Sequence, residues 1–143
     1  MLVVDDFKDY EIIDSSNGMK LERWGNIYLL RPDPQVIWDN GDLLEKYHNI
    51  HAVYYRSNKG GGHWENLRKT PANWEISYHD LTFNIKQMGF KHTGLFPEQA
   101  INWRYMIDKI KNSHRPIKVL NLFAYTGGAS VAALSAGASV VHV

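Results

Sequence analysis

The run Val119-Leu120-Asn121-Leu122-Phe123-Ala124-Tyr125-Thr126-Gly127-Gly128 constrains the fold more than any other stretch. An apolar strand that ends in a glycine turn and opens a helix fits few architectures. Arg115-Pro116 breaks the chain ahead of it, so Val119 to Phe123 reads as a buried strand. Ala129 to Ala136 is rich in small, helix-tolerant residues and stops at Gly137, a good helix end. Val140-Val141-His142-Val143 then begins a second apolar run. This order predicts the first β-α-β unit of a parallel sheet with both faces covered.

The chemistry of such a turn follows from its backbone. Gly127 and Gly128 allow positive φ and close approach of a ligand, while a helix starting near Ala129 presents unpaired N–H groups and a partial positive charge. A carboxylate or phosphate suits that position. A Walker loop would need Lys-Ser/Thr after its last glycine, and a dinucleotide fingerprint would need Gly-x-Gly-x-x-Gly; neither pattern is present. A plain strand-to-helix turn with no ligand is the alternative.

In its Asn-x-Phe-x-Tyr-Thr-Gly-Gly form, the segment resembles motif I of class I S-adenosylmethionine-dependent methyltransferases, in the version carried by large-subunit ribosomal RNA methyltransferases. Asn121 stands where the general pattern has an acidic residue, Phe123 and Tyr125 stand at its first two glycines, and Gly127 at its third. The resemblance implies S-adenosyl-L-methionine as cofactor, with Asn121, Phe123, Ala124, Tyr125, Thr126 and Gly127 around its methionine half. Thr93-Gly94-Leu95-Phe96-Pro97-Glu98-Gln99 is similar to the element that precedes motif I in these proteins and folds over the cofactor. By that resemblance Phe96, Glu98 and Gln99 are further candidate contacts; on the residues alone they are equally a helix-start turn.

The helix that follows is predicted from Pro97 to about Asn112. Pro97 suits the first turn, Trp103, Met106, Ile107 and Ile110 recur at helical spacing, and Lys109 and Lys111 sit near the negative end.

Before residue 90 the signals are those of short strands. Tyr10 to Asp14, Met19 to Trp24 and Ile27 to Arg31 are separated by Asn17-Gly18 and Gly25-Asn26, which predicts a three-stranded meander. Glu22 and Arg23 within it suit a face in water. Arg31-Pro32-Asp33-Pro34-Gln35-Val36-Ile37-Trp38 also resembles a segment of the same methyltransferases, but its residues indicate no chemistry. One or two helical turns over Leu43 to His48 and strands over Ala52 to Arg56, Trp64 to Leu67, Trp74 to Tyr78 and Leu81 to Lys86 complete the reading. Lys59-Gly60-Gly61-Gly62-His63 reads as a mobile hairpin connection, with closure over a phosphate as the less favoured alternative. Trp24, Trp38, Trp64, Trp74, Tyr54, Tyr55 and Tyr78 could stack bases, and Arg56, Arg68 and Lys69 could meet phosphates; most of these aromatics are expected simply to fill the sheets.

The fold expected is therefore α+β followed by α/β. An antiparallel β-rich N-terminal module occupies 1–90, on the substrate side. The connecting helix and the start of a Rossmann-like methyltransferase sheet, truncated in its second strand, occupy 91–143. A net charge of +1, from 16 basic and 15 acidic residues, gives no global field for nucleic acid, so contact with an RNA substrate requires a local patch. The absence of cysteine removes disulfides, thiolate metal sites and thiol nucleophiles, and the scattered histidines predict no metal site. No apolar run is long enough to span a bilayer, and Met1 to Asp6 is too short and acidic for a signal peptide, so a cytoplasmic protein is expected.

The resemblance further implies a ribose-binding acidic residue just after Val143 and catalytic residues on later strands. The sequence is then expected to be an N-terminal portion of a longer methyltransferase acting on RNA, and to be inactive alone. The alternative is a noncatalytic RNA- or protein-binding module with a remnant nucleotide-binding fold.

Overall fold

In the computed structural model, which describes all residues Met1–Val143, nine strands and three helices follow one another. They divide into two units. One comprises Lys8–Ile76 and Asn84–Gly94; the other comprises Met1–Phe7, Ser77–Phe83 and Leu95–Val143.

The first unit is built on a five-stranded sheet in the order β1 (Tyr10–Ser16), β2 (Met19–Trp24), β3 (Ile27–Pro32), β4 (Ala52–Arg56) and β5 (Gly62–Asn66). Asn17 and Gly18 both take positive φ, 49° and 75°, as the tight turn between β1 and β2 requires. A register shift between Ile12 and Asp14 bends β1. The meander is thus antiparallel, as its sequence predicts. The expectation of a wholly antiparallel module fails at the next step: β3 and β4 run parallel, with Leu29 opposite Ala52 and Leu30 opposite Val53. Between them lies a long connection, residues 33–51, carrying helix α1 (Leu43–Lys46), and that length lets the chain cross over rather than turn back.

Leu21, Leu30, Leu43, Ile50 and Val53 form the core of this unit, with Met19, Tyr28, Tyr47 and Tyr55 packed around them. Asp42 caps α1 by accepting from the Leu44 N–H at 2.9 Å. Asp14 ties β1 to the α1 region, accepting from Lys46 Nζ at 2.6 Å, Tyr47 Oη at 2.8 Å and Asn40 Nδ2 at 2.7 Å. Glu22 departs from its expected place in water. Its side chain is fully buried, and Arg31 donates to it from Nε at 2.6 Å and from Nη2 at 2.7 Å. Tyr10 Oη donates to the same carboxylate at 2.6 Å. The strand alternation that pointed Glu22 outward took no account of a cation on the neighbouring strand able to follow it inward.

These acids make the unit sensitive to low pH. Lys46 and Tyr47 hold Asp14 well below the carboxylate range. Burial pushes Glu22 up, but the Arg31 guanidinium prevails and its net shift is downward. For Asp33, burial is likewise outweighed by the Gln35 N–H and Lys20. All three are depressed in the fold, so they contribute stability above their unfolded values of about 4 that is lost as pH falls through the folded ones. Burial also lowers the pKa of His51 and His92, so melting followed by circular dichroism is expected to decline mildly as pH falls through about 6.5 and more steeply below about 4. A melting temperature unchanged down to about pH 2 would contradict these assignments.

Strands β6 (Trp74–Tyr78) and β7 (Leu81–Ile85) form a hairpin whose tip, Ser77–Phe83, belongs to the second unit. There Trp103 is the central side chain. It lies 5.1 Å from the Phe83 ring, 5.8 Å from Tyr78 and 6.4 Å from Phe7, centroid to centroid. Asp6 fastens the amino-terminal segment, accepting from Tyr78 Oη at 3.1 Å and Arg104 Nη1 at 3.2 Å, with His79 Nε2 at 2.8 Å. Burial and this carboxylate push the Tyr78 phenol up to about 12. Helix α2 (Ala100–Lys111), entered through a short 3-10 turn at Pro97–Gln99, buries Ala100 and Trp103. Strand β8 (Lys118–Asn121), helix α3 (Gly128–Ser135) and strand β9 (Ser139–His142) complete the unit, with β8 and β9 parallel and Leu120 opposite Val141.

The β-α-β order matches the sequence reading, but β8 ends at Asn121 and does not reach Phe123. The prediction of two covered sheet faces is not met, because Leu120, Leu122, Val141 and Val143 are more than half exposed. Only β8 and β9 pair here; α3 packs on them, and α2 packs against α3.

Candidate cofactor site

Between Asn121 and α3 the backbone takes an unusual course. Phe123, Tyr125 and Gly127 have φ of 55°, 53° and 94°, while Ala124 and Thr126 between them are not left-handed. Alternation of this kind curls successive N–H groups toward one side, a concavity that favours anions. A left-handed backbone at a non-glycine residue costs on the order of 1–3 kcal/mol, and such strain persists where surrounding contacts hold it. Two contacts are evident: the Ala124 N–H donates to Val143 O at 2.9 Å, and the Gly127 N–H donates to Ala124 O at 2.9 Å. Gly127 is the N-cap of α3 and provides no side-chain cap, so the first turn of that helix keeps unpaired donors and its positive end.

A three-residue network braces the loop from below. Asn121 Nδ2 donates to Ser130 Oγ at 2.9 Å, and Ser130 Oγ lies 2.9 Å from His142 Nδ1. The end of β8, the first turn of α3 and the end of β9 are thereby fixed to one another. One Asn121 donor is committed to this role; its position in the sequence marked it as a contact but gave no sign of the brace.

A cavity of about 320 Å³ opens beside the loop. Of the candidate residues, Asn121, Phe123, Ala124, Tyr125, Thr126, Phe96 and Gln99 line it. Phe96 and Tyr125 face one another with ring centroids 5.1 Å apart. Gly127 and Glu98 do not line it. Gly127 is buried, and a Cβ there would come 3.2 Å from His142 Cε1; Glu98 is exposed on the short 3-10 turn. Sequence reasoning missed Asn102, Trp103 and Met106 in the lining, whereas Gly128, marked for close approach of a ligand, does line it. Trp103 and Met106 were legible only as an apolar helix face. At Gly128 an added Cβ would meet Trp103 Cζ2 at 3.1 Å, so the close approach of helix and indole depends on glycine.

The cavity fits one end of S-adenosylmethionine. Unpaired N–H groups at the start of α3 suit a carboxylate, and the Phe96–Tyr125 pair suits an apolar, flat group. No acidic side chain lines the cavity, so this chain offers no carboxylate for ribose hydroxyls. No group of three or more His, Cys, Asp or Glu side chains is arranged to hold a metal ion, and no helix is long and apolar enough to cross a membrane.

Comparison with known proteins gives the class. Residues 45–143 match the family model described as S-adenosylmethionine-dependent methyltransferase, and the chain belongs to that family. Among solved structures, a SAM-dependent methyltransferase from Agrobacterium tumefaciens superposes with a TM-score of 0.86 at 36% identity, over 94% of this chain and 43% of that one. A Methanocaldococcus jannaschii protein, provisionally named a ribosomal RNA large subunit methyltransferase, is 32% identical over 117 residues, 78% of this chain and 28% of its own length. Ribosomal RNA large subunit methyltransferase K/L of Shewanella frigidimarina is 32% identical over 83 residues, 58% of this chain and 11% of the relative. The chain therefore spans less than a third of the length of these two curated relatives.

Proposed function

We propose that the whole protein transfers a methyl group from S-adenosylmethionine to RNA, ribosomal RNA in the first instance, in the cytoplasm. The observation that carries this reading is the strained loop from Asn121 to Gly127, which opens onto an uncapped helix end in a chain of this family. The RNA acceptor is supported by the names of the ribosomal RNA relatives. The exposed apolar residues of β8 and β9, together with the short coverage of longer relatives, support further strands and helices that complete the sheet.

In this reading the N–H groups of the α3 first turn hold the cofactor's carboxylate, and Phe96 and Tyr125 shield the adjacent part from water. Phe123, Ala124 and Thr126 shape the loop around it, Gln99 offers an amide at the rim, and Gly127 lets the backbone turn without a side chain. Bound there, the cofactor supplies an activated methyl group on sulfonium. The chain's contribution is placement, which holds donor and acceptor in line. Glu98, exposed and outside the cavity lining, is given no role in this reading. Residues 1–90 form the substrate side.

The test is incubation of the full-length protein with tritium-labelled S-adenosylmethionine and ribosomal RNA that lacks native methylation. Label in RNA, absent with Gly127→Val, is expected. Label entering protein or small molecules but never RNA would overturn the acceptor, and no transfer to any acceptor would overturn the activity.

A further inference from the structure

The five-stranded unit carries a larger cavity of its own, about 530 Å³, which the methyl-transfer site does not use. Its walls are apolar, formed by Met19, Leu30, Leu43, Leu44 and Val53, with Pro32 and Pro34 at one side. Those two prolines belong to the Arg31-to-Trp38 segment, whose residues alone indicated no chemistry. That volume lies within the range of small-molecule pockets.

The charge around this cavity is uneven. Arg56 lines it, and its guanidinium has neither a hydrogen-bond nor an ion-pair partner in the chain. Lys91 Nζ donates to Pro32 O at 3.1 Å, which places a second ammonium at the proline side. Lys20 and Arg31 stand close by, and burial, then Arg56 and Arg31, lower the Lys91 pKa. Against these four cations stand Glu22, held by Arg31, and Asp33, 3.4 Å from Lys20 Nζ. Asp42 lies on the α1 side, where it caps the helix. Asp39, which accepts from Asn17 Nδ2 at 2.9 Å, balances the count, so the cation left for a ligand is Arg56, which no carboxylate holds, beside an apolar hole.

A flat aromatic surface adjoins it. Trp38 is 51% exposed, yet its ring is fixed because Nε1 donates to Ser15 O at 3.0 Å. Its own carbonyl accepts from the N–H of Asn17, a residue of the cavity lining.

We propose that this cavity binds one unstacked nucleotide of a single RNA strand, the base entering between Leu44 and the Pro32–Pro34 side, its phosphates meeting Arg56 and Lys91, and the next base stacking on Trp38. Apolar walls accept any base face, exposed aromatic rings extend the stack, and cations track the backbone, as in single-strand recognition generally. An acidic peptide would satisfy the cations but leave the apolar hole and the indole unused. The inference rests on the reading that the whole protein acts on RNA, and it assigns the contact to a site separate from the methyl donor.

The experiment uses the full-length protein and a fluorescein-labelled 12-nucleotide RNA containing 4-thiouridine. Irradiation is expected to link the RNA to peptides covering residues 16–19, 30–44 or 53–56. By anisotropy, Arg56→Glu is expected to weaken binding roughly tenfold and to reduce the slope of log Kd against log salt by about 0.7. Leu44→Trp, which fills the mouth without changing charge, is expected to weaken it about fivefold or more. Lys111→Glu, at the end of α2, serves as a control for diffuse attraction. Crosslinks found only elsewhere, or equal losses in Arg56→Glu and Lys111→Glu, would overturn the site. Cofactor affinity of the wild-type protein is read separately: if it binds S-adenosylmethionine but its RNA crosslinks lie elsewhere, this inference falls and the methyltransferase reading stands.

Discussion

Arg31→Met is expected to lower the unfolding free energy by about 3–5 kcal/mol, roughly a fifth or more of what a domain of this size typically has. Arg31 contributes both groups that satisfy the Glu22 carboxylate most closely, at 2.6 and 2.7 Å, and Glu22 is 0% exposed. Removing the guanidinium strands a buried carboxylate, with Tyr10 Oη at 2.6 Å and Trp24 Nε1 at 3.4 Å as the nearest remaining donors and Lys20 Nζ 3.7 Å away. Replacing both partners, in Glu22→Leu with Arg31→Met, is expected to recover only part of the loss. Tyr10 Oη and Trp24 Nε1 would then lack their acceptor, and the Lys91 carbonyl its donor. Urea unfolding followed by tryptophan fluorescence measures both variants. A single variant within about 1 kcal/mol of wild type would show that the pair lies in contact with water.

Gly127→Val is expected to weaken S-adenosylhomocysteine binding by the full-length protein at least tenfold, with a loss of stability of about 1–3 kcal/mol. The residue has φ of 94°, where a β-branched side chain is strained, and its Cβ would press on the His142 ring at 3.2 Å. Moving His142 disturbs Ser130 and, through it, Asn121. Calorimetry on the variant, with its fold checked by circular dichroism, gives the result. Affinity equal to wild type would mean that the left-handed turn at Gly127 is not needed for the site.

The parts of this structure that were legible in sequence are those fixed locally. Asn17-Gly18 announces its turn because both residues accept positive φ, and Gly137 ends α3 for a similar reason. The position of α2 followed from Pro97 and the spacing of Trp103 and Met106. Pairing over distance was not legible: nothing in Ile27–Pro32 or Ala52–Arg56 states that they align parallel, since that depends on how the 33–51 connection packs. The burial of Glu22 has the same origin, because it needs Arg31 from the neighbouring strand. At the candidate site, the loop residues and Gly128 were marked by their motif, while Trp103 enters from α2 by its approach to Gly128, which no motif records. Gly127 shows the converse case. Its motif position marks it as a contact; in the structure it lies outside the cavity lining and takes a left-handed φ of 94°.

In the proposed function the loop after β8 and the start of α3 hold the methyl donor. The most direct test is hydrogen–deuterium exchange of the full-length protein with and without S-adenosylhomocysteine. Slower exchange in peptides spanning Leu95–Trp103 and Asn121–Val131 is the predicted result. Bound ligand with unchanged exchange in both segments, and protection elsewhere, would contradict it.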